Sequence, residues 1–153
     1  MDFQRYLSAK RSVDARAFNL QVWQALLDWA AEAPRPLRVL DVGGGSGAMA
    51  ARILAAGLPS PIEYTLVDQQ AANLNAAQAT LGAQVSHYVT ADIFAFLAER
   101  PNQRWDLLVA HAFLDLIDLQ SQLPPLLDAL RPEGTLYAPI NFDGKTRFAP
   151  ELQ

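Results

Sequence analysis

At 153 residues the chain fits a single domain, long enough to bury a hydrophobic core. Hydrophobic residues make up 51% and charged residues 18%, which excludes an intrinsically disordered chain. A formal charge of −4 lacks the basic footprint of a nucleic-acid binder, and the absence of cysteine excludes disulfides, thiolate metal sites and cysteine nucleophiles. The two histidines, His87 and His111, are too few for a His-rich metal centre, so no metal is expected. The N-terminal MDFQRYLSAKR has no apolar signal-peptide core, and the apolar stretch 105–119 is broken by Asp106, His111, Asp115 and Asp118. The expectation is a cytoplasmic protein that binds neither membrane nor nucleic acid.

In chain order, residues 1–33 read as a helical segment. Val22, Trp23, Leu26, Leu27, Trp29 and Ala30 recur at helical spacing, and Pro34 and Pro36 end the run. The more polar part before them carries Lys10, Arg11 and Arg16: a solvated face, or a lid in which Arg11 or Arg16 meets a carboxylate. LRVLDV (37–42) reads as a buried parallel strand, and it runs into GGGSG (43–47). The glycines permit backbone angles and closeness of approach that a Cβ would block. A helix then follows from Gly47 to Ala56, ending at Gly57, with its first N–H groups facing the loop. This is a ligand cradle at the carboxyl end of a strand, where open α/β sheets bind ligands.

The alternation continues with a strand at 62–68, a helix at 69–82 stopped by Gly82, and a strand at 84–90 that places Val85, His87 and Val89 on one face. His87 is therefore expected to be a packed or edge histidine. Asp92 opens a helix over 91–100, where it can serve as a cap. A buried strand begins at Trp105 and runs on into a loop bearing His111, Asp115 and Asp118. Pro124 and Pro125 suit the first turn of the next helix, and Leu123, Leu126, Leu127 and Leu130 form its sheet-facing stripe. Pro132 and Gly134 end that helix before a fifth strand at 135–142. The pattern predicts an α/β, Rossmann-like, mostly parallel sheet with helices on both faces.

Two ligands compete for the glycine loop. Gly43, Gly45 and Ala48, with Asp68 further on, meet a dinucleotide fingerprint and would suit a nicotinamide-dependent oxidoreductase. Asp41, Gly43, Gly45 and Gly47 meet acid-x-G-x-G-x-G, which resembles the first motif of class I S-adenosylmethionine-dependent methyltransferases. The similarity continues through Asp68 at the end of the second strand, Asp92 and Ile93 in ADIF, VAHAFLDLID, and LLDALRPEGTLY, covering residues 37–140 in order. Three carboxylates around one crevice would disfavour a pyrophosphate and favour a cationic sulfonium with an ammonium group. No tyrosine–lysine pair follows the fingerprint to support the oxidoreductase.

The resemblance implies sheet order 3-2-1-4-5, S-adenosylmethionine as cofactor and S-adenosylhomocysteine as product. It also implies site residues: Gly43, Gly44, Gly45 and Gly47 beneath the ligand, Asp41 shaping the loop or reaching the ammonium through water, Asp68 with Gln69 at the ribose, and Asp92 with Ile93 at the adenine. His111, beside the methyl group, is the candidate general base, or else a residue that lines the pocket and touches the cofactor. HAFL after the fourth strand is not the [DN]-P-P-[YFW] of amino-directed nucleic-acid enzymes, and cytosine C5 chemistry needs a cysteine; a small-molecule acceptor is therefore expected.

The resemblance also implies elements beyond a fifth strand, whereas the chain stops at NFDGKTRFAPELQ. The fifth strand is then expected to be an apolar edge covered by a second copy or a partner chain. A non-catalytic cofactor-binding subunit of a complex is the alternative to an enzyme. The single domain divides into the 1–33 segment, a 37–142 core and a 143–153 tail.

Overall fold

The computed structural model describes residues 18–140. The expectations for Lys10, Arg11 and Arg16, and for the segment after 140, lie outside these residues. Helix α1 (Leu20–Glu32) starts at Asn19, whose side chain accepts from the Gln21 and Val22 N–H groups. Strand β1 (Leu37–Val42) leads through the glycine loop to α2 (Ala48–Leu54), then come β2 (Ile62–Asp68) and α3 (Ala71–Leu81). Next are β3 (His87–Thr90), α4 (Ile93–Ala98), β4 (Trp105–Val109), α5 (Leu119–Asp128) and β5 (Leu130–Tyr137).

The five described strands form one parallel sheet, as the alternation predicts, in the order β3-β2-β1-β4-β5 that the resemblance implies. β1 lies in the middle and is covered on both faces, which is why it reads as a run of apolar residues without alternation. Leu37 and Val39 join one apolar layer with Leu26, Ala50, Ile53, Leu74 and Ala77; Leu40 and Val42 join the other with Ile93, Phe96, Trp105 and Leu126. Each of these large side chains contributes about 2 kcal/mol by leaving water. Beneath the sheet, Asp106 accepts from the Arg38 N–H at 2.7 Å and from the Arg131 guanidinium, clasping the starts of β1, β4 and β5.

Several local expectations are corrected. β3 is short: His87 is an edge residue, as expected, and exposed, but Val85 precedes the strand and is buried, so the two share no strand face. Gly57 is left-handed (φ +77°) but stands beyond the true cap of α2, Ala55. α5 begins at its cap Asp118, so Pro124 and Pro125 lie inside it rather than in its first turn. They are tolerated because the carbonyls they leave unbonded, at Gln120 and Ser121, are on exposed residues that water can serve. Leu126 alone of the expected stripe is fully buried; Leu127 is 44% exposed and Leu130 belongs to β5. Pro132 and Gly134 interrupt β5 rather than precede it: Trp105 pairs with Leu130, yet Leu107 pairs with Thr135. The extra residues bulge outward, and a Cβ on Gly134 would sit 2.9 Å from the Arg131 carbonyl.

Candidate functional site

The carboxyl ends of β1, β2, β3 and β4 frame a cavity of about 440 Å³. Gly43 supplies part of its floor. Asp68 ends β2, and Gln69, Gln70 and Asn73 follow it; Ala91, Asp92, Ile93 and Phe94 follow β3; Ala112, Phe113, Leu116, Ile117 and Gln122 follow β4. Among the described residues the lining holds two carboxylates and no basic side chain.

Asp68 ties this site together. Its Oδ2 accepts from the Gly45 N–H at 3.0 Å, and its Oδ1 accepts from the Gln70 N–H at 2.8 Å and the Asn73 amide at 3.1 Å. A carboxylate offers roughly four acceptor positions, so about one remains toward the cavity. Asp92 caps a helix, as anticipated, and keeps its second oxygen at the cavity. Its Oδ1 caps α4 through the Phe94 and Ala95 N–H groups, while Oδ2 accepts from Gln69 Nε2 at 2.9 Å. Gln69 is thereby held across the cavity mouth between the β2 and β3 ends. Ile93, 5% exposed, forms apolar wall beside it.

The glycines divide their work. Gly43 (φ +61°) faces the cavity, and a Cβ there would lie 2.7 Å from Phe113 Cδ2. Gly47 (φ +84°) is buried away from the cavity, where a Cβ would strike Leu81 Cδ1 at 2.8 Å, so it serves the packing of α3 against the loop. Gly44 is pressed against Leu66 and Asp41, and Gly45 contributes its N–H to Asp68.

Asp41 does not reach the cavity. It is fully buried beneath the loop, where its Oδ2 accepts from the Tyr64 hydroxyl at 2.7 Å and its Oδ1 has no hydrogen-bond partner. Burial pushes its pKa up to about 7, opposed by the Tyr64 hydrogen bond and reinforced by the negative charge of Asp68. The same burial and the Asp41 charge hold the Tyr64 phenol well above its ordinary range. Asp41 therefore shapes the loop from below, and the expected triad of crevice carboxylates reduces to Asp68 and Asp92.

His111 is likewise absent from the described cavity lining. Its ring stacks on Phe18 at 5.8 Å between centroids and 21° between planes, on the α1 side of the sheet. Asp118 is a helix cap rather than a site acid, and its pKa is lowered chiefly by the hydrogen bond from Ser121. Asp115 sits in the exposed single turn Leu114–Leu116. Sequence reasoning missed Asn73, Phe113, Leu116, Ile117 and Gln122. Phe113 was findable from its place just after a buried strand; Asn73 needed only the helical register that returns it to Asp68.

A methyltransferase-domain family model matches residues 40–136, more than half of the chain. Solved structures similar to the chain include a SAM-dependent methyltransferase from Agrobacterium tumefaciens, with 20% identity, TM-score 0.58, and coverage of 78% of this chain and 44% of that one. Another is the plantazolicin methyltransferase BpumL in complex with a pentazolic desmethylPZN analog and SAH (19% identity, TM-score 0.57, coverage 88% and 51%). The CurJ carbon methyltransferase is a third (23% identity, TM-score 0.59, coverage 70% and 30%). The chain thus spans about half the length, or less, of these structures. No curated protein sequence matches it. With its parallel 3-2-1-4-5 sheet and glycine-floored cavity between β1 and the β2 and β3 acids, the chain belongs to the methyltransferase-domain family.

Proposed function

We propose that the chain binds S-adenosylmethionine in the cavity over Gly43 and serves transfer of its methyl group to a small-molecule acceptor. The observation that carries this reading is the pairing of Asp68 and Asp92 across a cavity whose described lining holds no basic side chain. Such a site suits a nucleoside bearing a sulfonium and an ammonium group and disfavours a pyrophosphate. The cavity volume, about 440 Å³, lies in the range of small-molecule sites.

Asp68 keeps one acceptor position for a ribose hydroxyl; taking a second requires it to release one of its three present donors. Gln69, Ile93 and Asp92 offer an amide, an apolar face and a carboxylate oxygen to an adenine. Bound S-adenosylmethionine supplies an activated methyl group with a good leaving group already attached, so the chain's work is to hold donor and acceptor in line. His111 is proposed as the proton acceptor on the α1 side where an acceptor must lose a proton, its ordinary pKa lying near neutrality. Asp41, Gly44, Gly45 and Gly47 then act by shaping the loop.

Among the described residues β5 pairs only with β4, which supports reading its other edge as the place for a second copy or partner chain. A cofactor-binding subunit that needs such a partner is the second reading. Calorimetric titration with S-adenosylmethionine, S-adenosylhomocysteine and NAD tests the cofactor assignment. Binding of both sulfur nucleosides without NAD is expected; a folded chain that binds neither overturns it. A radiolabelled-methyl screen against small-molecule extracts then separates an enzyme from a subunit.

A further inference from the structure

Asp41 is fully buried near the end of β1, beneath the loop whose Gly43 forms part of the cavity floor. We propose that Asp41 distinguishes donor from product: its carboxylate favours the sulfonium of S-adenosylmethionine over the neutral thioether of S-adenosylhomocysteine, and donor binding releases a proton from it to solvent. Asp41 acts through its field across the loop, not by contact. The proposal rests on the reading of the Gly43 cavity as the donor site.

Three observations carry it. The carboxylate is short of partners: Oδ2 accepts from the Tyr64 hydroxyl at 2.7 Å, and the enclosed Oδ1 accepts from nothing. A buried carboxylate so poorly served gains from a positive charge brought near it. Glycine backbone is packed close against it, since a Cβ on Gly44 would sit 3.0 Å from Oδ1. Packing this tight keeps water out, so the charge is weakly screened on its way to the loop. The field also reaches the cavity wall. Asp68 lines the cavity and holds the Gly45 N–H, and its negative charge acts on Asp41.

Among the described residues no cation is paired with Asp41. From β2 it faces Tyr64 and Asp68. α2 bears one charge, Arg52, whose guanidinium lies over the Phe18 and Trp23 rings at 4.1 and 4.5 Å from their centroids. After β4, the His111 ring is stacked on Phe18. α3 has no titratable residue, and the acids of α1, Asp28 and Glu32, are exposed. Burial thus leaves the Asp41 carboxyl pushed up to about 7, and a cation arriving over the loop moves it toward the ionised form. S-adenosylmethionine and S-adenosylhomocysteine differ by a methyl group and the positive charge on sulfur, so only the donor brings that cation.

The test titrates the full chain calorimetrically with both nucleosides across pH, in buffers of differing ionisation heat, so that affinity and protons released are read together. In Asp41→Asn only the ligands' own titration remains. Relative to that variant, the native preference for S-adenosylmethionine over S-adenosylhomocysteine is expected to rise about five-fold more between roughly pH 5.5 and pH 8.5, with extra proton release near neutrality for the donor alone. Tyr64→Phe removes the hydrogen bond that lowers the Asp41 pKa, so the midpoint of that rise is expected to move to higher pH. This second variant is read against native protein and decides the matter should Asp41→Asn not fold. The same pH course and proton count in native and Asp41→Asn protein overturn the proposal, as does a midpoint that Tyr64→Phe leaves in place. A folded native chain that binds neither nucleoside at any pH sinks the donor-site reading itself, and this proposal with it.

Discussion

The Tyr64 hydroxyl donates to Asp41 Oδ2 at 2.7 Å, with both side chains closed off from solvent beneath the glycine loop. This pair links the second strand to the end of the first, under the loop that floors the proposed donor site. It also leaves a recognisable thermodynamic signature.

Because burial raises the Asp41 pKa from 3.8 to about 7, the folded chain holds a proton there that the unfolded chain releases. Between those values the folded state binds more protons, so this group makes stability fall as pH rises, with the loss complete above about pH 7. Asp41→Asn keeps an acceptor for Tyr64 and removes the titration. Urea unfolding is expected to show the variant gaining on native protein from about pH 4 to pH 8, by an amount on the order of a few kcal/mol. A pH-independent difference between the two would contradict the assignment.

Phe113 covers the face of Gly43 that a ligand on the loop would approach. If ligand binding requires the ring to swing aside, the apparent affinity is reduced by the fraction of molecules in which it has done so. Phe113→Ala is expected to tighten S-adenosylhomocysteine by about three- to ten-fold, and Phe113→Trp to weaken it, both measured by calorimetry. Weaker binding to the alanine variant would make the ring a contact surface instead.

Gly47→Ala tests packing apart from binding. The new methyl group would meet Leu81 at 2.8 Å and Ala77 at 3.2 Å, at a left-handed residue. A loss of about 1–3 kcal/mol in denaturant unfolding is expected. Gly45→Ala, which has open space around its Cβ position, should cost less by the same measurement.

At the opposite end of the sheet, Asp106 holds the Arg38 N–H and the Arg131 guanidinium while almost fully buried. Asp106→Ala leaves both donors short of a partner and is expected to cost about 3 kcal/mol, with a midpoint shift readable by circular dichroism. Asp118→Ala, at an exposed cap, should cost less than Asp106→Ala by the same readout.

Much of this fold was legible because central parallel strands cannot hide. β1, β2 and β4 are buried on both faces and read as apolar runs, while glycines and prolines punctuate what lies between them. Asp68 and Asp92 were legible because each closes a strand or opens a helix, positions where a carboxylate has work to do. Asp41, near the end of β1, takes the loop-shaping role of the two expected for it, but lies buried below the crevice instead of on its rim. Residue type at a strand end does not say whether the side chain turns up to a ligand or down to a buried tyrosine twenty-odd residues away. The helix–strand boundary at 129–134 failed for a related reason: Pro132 and Gly134 signal a break, and a bulge within a strand satisfies them as well as a helix end does. His111 shows the limit of spacing, since its place just after β4 does not say that its ring turns to Phe18 and away from the cavity lining.

The most direct measurement is an NMR titration of the 15N-labelled chain with S-adenosylhomocysteine, following backbone amides residue by residue. The account predicts the largest shifts at Gly43, Gly45, Gln69, Ile93 and Phe113, with the Asp106 end of the sheet silent. Saturable binding that moves amides elsewhere and leaves Gly43 and Gly45 unchanged would contradict it.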